Sequence, residues 1–223
     1  MSQRAPGPAR HSGGNCVLLR RFLLILAAAC ALPAWAQGEP LFDAVAAGDF
    51  ESVRRLVDAG AAVNARNADA ESLLYAAAER GHAAVVRFLL GKGADANSRT
   101  GNGEVPLHAA ALNGDADAVL ALLERGAAVN GANRDGERPL FWAAAAGRGR
   151  AVQILIEHGA AINALDAMGN SALHGAADGG YETVAWLLLD EGADRNLRNK
   201  AGDTALDLAR RRGHQAIVDL LRR

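Results

Sequence analysis

Val105-Pro106-Leu107-His108-Ala109-Ala110-Ala111-Leu112-Asn113-Gly114 opens a run that closes on Leu122-Leu123-Glu124-Arg125-Gly126-Ala127-Ala128-Val129-Asn130. The run recurs along the chain. One glycine series is Gly48, Gly81, Gly114, Gly147, Gly180 and Gly213. A second is Gly60, Gly93, Gly126, Gly159 and Gly192. An asparagine series is Asn64, Asn97, Asn130, Asn163 and Asn196. Every step is 33 residues, with no insertion or deletion. A fixed period in this range is the signature of a stacked repeat architecture. Each glycine follows a short helical pattern, where a left-handed C-terminal cap needs a residue without Cβ. Between the glycines, Val119, Leu122 and Leu123, or Val152, Leu155 and Ile156, recur at helical spacing. One such unit cannot bury its apolar face alone, whereas stacked neighbours can.

The unit resembles the ankyrin repeat, which begins Thr-Pro-Leu-His and continues through Gly-His, Val-Val, Leu-Leu and Gly-Ala-Asp-Val-Asn. Here the opening reads Val105-Pro106-Leu107-His108, Arg138-Pro139-Leu140-Phe141, Ser171-Ala172-Leu173-His174 and Thr204-Ala205-Leu206-Asp207. The resemblance runs from Glu39 to the C-terminus. It implies an all-α solenoid of about six 33-residue helix-turn-helix repeats joined by hairpin loops. The expected repeats are 37–66, 67–99, 100–132, 133–165, 166–198 and 199–223. The second is the least regular at its start, Ser72-Leu73-Leu74-Tyr75. Arg55 stands where the next repeats carry Phe88, Leu122 and Leu155. Arg210 and Arg222 likewise replace small or apolar residues. Polar outer faces of this kind cap a terminal repeat, so a complete array is expected.

Residues 1–36 read differently. Arg4, Arg10, Arg20 and Arg21 are basic, and no acidic residue precedes Glu39. Phe22 to Leu32 is apolar but too short to span a bilayer as a helix. Ala34-Trp35-Ala36 has the small-x-small form of a signal-peptidase site, so a secretory signal with cleavage after Ala36 is expected. Lipidation at Cys30 is an alternative, weakened by Ala27 where a lipobox carries Leu. A retained N-terminal anchor is another. Arg20-Arg21 lies in a poor context for twin-arginine export, and the long basic region leaves room for a downstream start codon. The composition, rich in Ala, Gly and Arg, points to a bacterial source.

The whole chain balances 24 Lys+Arg against 25 Asp+Glu. Loss of residues 1–36 removes four arginines and leaves 20 against 25, a net charge of −5. That disfavours nucleic acid and anionic membrane as partners. Cys16 and Cys30 are the only cysteines, so the remainder has no disulfide, no thiol nucleophile and no cysteine metal site.

The search for chemistry is short. No Gly-x-Ser-x-Gly, His-Glu-x-x-His or phosphate loop occurs, and Gly101-Asn102-Gly103 lies in a hairpin rather than between a strand and a long helix. By the resemblance, His108 and His174 bond backbone around their own loop, and His82 and His214 have the ordinary structural role after the turn glycine. His158 ends a helix, where a cation favours the dipole. No catalytic residue, metal ligand or cofactor is expected.

The resemblance places partners on the hairpin tips and on the first helices, which form a concave face. Just after the tip glycine stand Glu104, Glu137, Asn170 and Asp203, with Glu71 at the matching place in the irregular second repeat, an acidic row that also suits helix N-termini. Along the first helices the matching residues are Ala46, Glu79, Leu112, Ala145, Asp178 and Arg211. Leu112, Ala145, Ala146 and Met168 make an apolar centre. Glu104, Glu137, Asp178 and Arg211 make its charged rim, as in an interface core. Trp142 is expected in the core and Trp186 exposed on a second helix. The sequence therefore predicts a monomeric, non-enzymatic, exported or periplasmic protein-binding scaffold, acting in enzyme protection, immunity or assembly. The alternative is a secreted effector acting on a host or competitor protein.

Overall fold

The computed structural model describes the backbone of residues 34–222 and side chains from residue 40 to 222. Twelve helices occur among these residues, in six pairs. The first helices are α1 (Ala34–Ala47), α3 (Leu73–Glu79), α5 (Pro106–Asn113), α7 (Pro139–Ala145), α9 (Ala172–Gly179) and α11 (Ala205–Arg212). The second helices are α2 (Phe50–Asp58), α4 (Ala83–Gly91), α6 (Ala116–Glu124), α8 (Gly149–Glu157), α10 (Glu182–Asp190) and α12 (Gln215–Arg222). Each first helix packs on the first helices before and after it, each second helix on its own counterparts, and the two of a pair on each other.

Local sequence sets the ends of these helices. Pro106 and Pro139 open α5 and α7, where a missing N–H costs nothing. Asp49, Ser72, Asp115 and Thr204 cap α2, α3, α6 and α11 by accepting backbone N–H bonds. At Gly114, Gly180 and Gly213 the chain leaves the helix with φ of 86°, 78° and 79°. Pro40 does not open its helix as Pro106 does. α1 begins six residues earlier and runs through it, because the upstream residues extend the helix despite the lost bond at the proline nitrogen.

The core is a continuous stack of leucine, valine, isoleucine and alanine. Leu41, Leu74, Leu107, Leu140 and Leu173 are buried at one repeat position, as the 33-residue period requires. Leu206, the last of that series, is only half-buried, since no described element stacks on α11 from outside. Trp142 departs from the expected core placement. It is half-buried, its ring stands edge-on to His108 at 5.3 Å, and its Nε1–H donates to Glu137 Oε2 at 2.8 Å. An indole buries readily only where its N–H finds an acceptor.

The asparagine series stitches consecutive repeats. Asn64, Asn97, Asn130 and Asn163 each accept from a backbone N–H 31 residues on and donate to the glycine carbonyl 29 residues on. Neighbouring hairpin tips are also joined, through Arg134 N–H to Asn102 O, Ala167 N–H to Asp135 O and Lys200 N–H to Met168 O.

Candidate functional site

Two ladders of side-chain donors run along the first helices. The first uses the residue after the Pro-Leu or Ala-Leu pair. His108 takes the Val105 N–H on Nδ1 at 3.1 Å, and its Nε2 meets Glu137 O of the next repeat at 3.1 Å. His174 does the same between Ser171 and Asp203 O. These histidines therefore bond backbone in the next repeat as well as in their own loop. Burial pushes both imidazoles below their usual value, because the charged form loses its hydration. Tyr75 holds the same place in the second repeat and donates to Glu104 Oε2 at 2.8 Å. Its phenol is pushed up by burial, with Glu104 adding to the shift.

The second ladder satisfies a carbonyl near the C-terminus of four first helices. His82 reaches Ala46 O, Asn113 reaches Glu79 O, Arg148 reaches Leu112 O and His214 reaches Asp178 O. These groups lie over the turn glycine of the preceding repeat. A Cβ on Gly48 would stand 2.7 Å from the His82 ring.

Both ladders break at one junction, between α7 and α9. Phe141 stands where His108 and His174 stand, and has no donor. Tyr181 stands where His82 and His214 stand, and its ring fills the space beside Gly147 and Gly179, where a Cβ on either would come within 2.4 Å. No side chain of the next repeat donates to the Ala145 carbonyl there, which lies 3.4 Å from where a Cβ on Gly179 would sit. Gly175 lets the helices close: a Cβ would meet Ala145 Cβ at 3.1 Å and Phe141 Cε2 at 3.3 Å. Packing thus replaces both first-helix ladders at this junction, while Asn163 and the Ala167–Asp135 bond still stitch the two repeats.

Over that junction lies a groove of about 330 Å³, lined by Phe141, Ala145, Gly175, Gly179 and Leu208, with Asn170, His174, Asp178 and Asn199 at its sides. This is the low end of the size range for ligand pockets. A second groove, of about 390 Å³, lies between the second and third hairpin tips, against Asp69, Glu71, Thr100, Asn102 and Glu104. A cleft under the next tip, beside Leu140 and Leu165, holds only about 10 Å³, room for a single water.

The residues expected to bind a partner are dispersed. Ala145 and Asp178 line the groove together. Leu112 is 43% exposed near the end of α5 and Met168 is 62% exposed at a tip, but neither lines it. The acidic row is half-buried and already bonded. Glu104 takes Tyr75 and Thr100, Glu137 takes Asn133 and Trp142, and Glu71 takes Asn67. Asp203 takes Arg211, and Arg212 holds Asp178 through two bonds, at 2.7 and 3.0 Å. Sequence reasoning missed Phe141, Gly175 and Leu208. The available signal was an aromatic at a histidine place followed, one repeat on, by a glycine at a tryptophan place.

Among the described residues, no three His, Cys, Asp or Glu side chains gather as metal ligands would, and no helix is long and apolar enough to cross a membrane. None of the curated proteins searched matches the chain significantly. A family model described as ankyrin repeats (3 copies) matches residues 41–133, 126–199 and 166–223, and the chain, a helical repeat array along that whole length, belongs to the ankyrin repeat family, whose repeats mediate protein–protein interaction.

Proposed function

We propose that the protein is exported and acts in the cell envelope as a scaffold that binds another protein through its first helices and hairpin tips, without catalysing a reaction. The observation that carries this reading is the contrast between faces. The first-helix face holds the groove at Phe141 and the exposed Leu112. The second helices present exposed charge, partly paired across repeats, as in Arg87 with Asp117 and Lys92 with Asp58. Apolar centres with polar rims are where interface energy concentrates. Export rests on the charge and apolar pattern of residues 1–36, which lie almost wholly outside the described residues.

Affinity capture from the organism's own envelope extract, with mass spectrometry of the bound protein, tests the reading. Leu112→Arg is expected to abolish capture while far-UV circular dichroism and Tm stay near wild type. Glu157→Arg on α8 leaves capture intact. Trp186, 53% exposed on α10, provides the opposing arm. Loss of capture by Trp186→Arg with full capture by Leu112→Arg would move the binding face to the second helices.

A further inference from the structure

We infer that the groove at the α7–α9 junction is an anchor pocket for one tryptophan or tyrosine side chain carried by an acidic segment of the partner. The inference rests on the proposed scaffold role and specifies its chemistry. Three observations select this occupant.

The floor is apolar. Phe141, Ala145, Gly175, Gly179 and Leu208 supply ring edge, methyl and open backbone, which suits a flat aromatic body.

The groove also asks for a donor. Each polar side chain along its sides already makes a hydrogen bond: Asn170 Nδ2 to Asp166, Asn199 Nδ2 to Asn170 Oδ1, and His174 Nε2 to Asp203 O. The Ala145 carbonyl lacks the side-chain donor that serves Ala46, Glu79, Leu112 and Asp178. An indole N–H or phenol O–H brings an apolar body and one donor together.

The carboxylates around the rim are matched by cations. Near the groove, the Asp178 and Asp203 carboxylates are held by Arg212 and Arg211, and Asp207 by Thr204, Arg198 and Arg210. Asp166 is bonded within its own loop. No described carboxylate pairs with Lys200 at the adjoining tip. Lysine or arginine as the inserted group is therefore disfavoured, and acidic flanks are favoured.

The test is a binding titration of the protein, as isolated from cells, with the heptapeptide Asp-Glu-Ser-Trp-Ser-Glu-Asp. Replacing its tryptophan by alanine is expected to weaken binding about tenfold or more, as for an interface anchor. Replacing it by benzothienylalanine, which keeps the shape and lacks the N–H, should weaken binding about threefold, the scale of one hydrogen bond. Replacing its acidic residues by lysine should also weaken it. Phe141→His supplies the residue type of positions 108 and 174 and should weaken the parent peptide about fivefold or more with the circular dichroism spectrum retained. Tyr181→His returns a donor to the Ala145 carbonyl, so the two aromatic peptides should bind alike. No binding of the parent peptide, equal binding of its alanine analogue, or full binding to Phe141→His overturns the anchor pocket. If native capture is lost in Leu112→Arg but unchanged in Phe141→His, the scaffold reading stands and the pocket alone fails.

Discussion

Ala70 shows how one residue can sit against the grain of a repeat. Each later hairpin places glycine at the matching position: Gly103, Gly136, Gly169 and Gly202, all with φ near +80°. Ala70 adopts φ +61°, the only positive-φ residue other than glycine described. That conformation costs an alanine about 1–2 kcal/mol through its Cβ, partly offset by the lower unfolded-state entropy of alanine. Ala70→Gly is expected to raise Tm slightly, by up to about 1 kcal/mol of stability; a lowered Tm in thermal unfolding would show the tip is unstrained. The buried histidines give a second residue-scale expectation. Unfolded imidazoles take up protons near pH 6.5, and the folded His108 and His174 do so only at lower pH. Between those values the unfolded state binds more protons, so stability is full above 6.5 and falls as the pH drops through it. Tm measured from pH 7.5 to 5.5 should fall, and the double variant His108→Phe, His174→Phe should show a shallower fall. Phe141 demonstrates that phenylalanine fits this place. An unchanged slope would assign the acid sensitivity to other groups.

At the scale of the element, stability passes from helix to helix. Leu140 on α7 is 3% exposed and lies in the leucine series between stacked first helices. Leu140→Ala should cost about 2–5 kcal/mol, the transfer term plus the cavity. In a repeat array the loss concentrates in the touching units. Hydrogen exchange should therefore quicken most in α5, α7 and α9 and least in α2 and α12. A uniform rise would mean the array unfolds as one unit, and an unchanged denaturation midpoint would take Leu140 out of the core. The α7–α9 junction is the natural place to look for the largest effect, because Phe141 and Tyr181 leave it without either ladder bond.

For the whole molecule, the proposed cleavage would remove the first turn of α1. α1 begins at Ala34, so Ala34-Trp35-Ala36 lies within its first turn, with Pro40 further in. Cleavage after Ala36 would leave Pro40 as the fourth residue. The first four N–H groups of a helix have no partner in any case, so the proline would then cost no bond. N-terminal sequencing of the exported protein should begin at Gln37. A lipid-bearing start at Cys30, or a retained Met1, would sink the cleavage assignment.

The sequence by itself determined the repeat, the helix pairs, the glycine turns and the leucine core. All of these follow from a strict 33-residue period and from local rules of capping and burial. It also pointed to Leu112, Met168 and Trp186 as exposed apolar residues: Leu112 is the one large apolar residue of its row, Met168 lies at a hairpin tip and Trp186 takes a place that is usually polar. Only the tertiary structure decided where the chain departs from its own pattern to any effect. Phe141, Gly175 and Tyr181 each look like an ordinary variation within one repeat. Their meaning lies in what they face 29 to 36 residues away: a carbonyl left without its donor, two helices drawn together and a groove above them. The acidic row likewise read as a charged rim in sequence, yet Tyr75, Asn133 and Trp142 hold its carboxylates. Side-chain partners across repeats depend on rotamer and register, which a linear period does not encode.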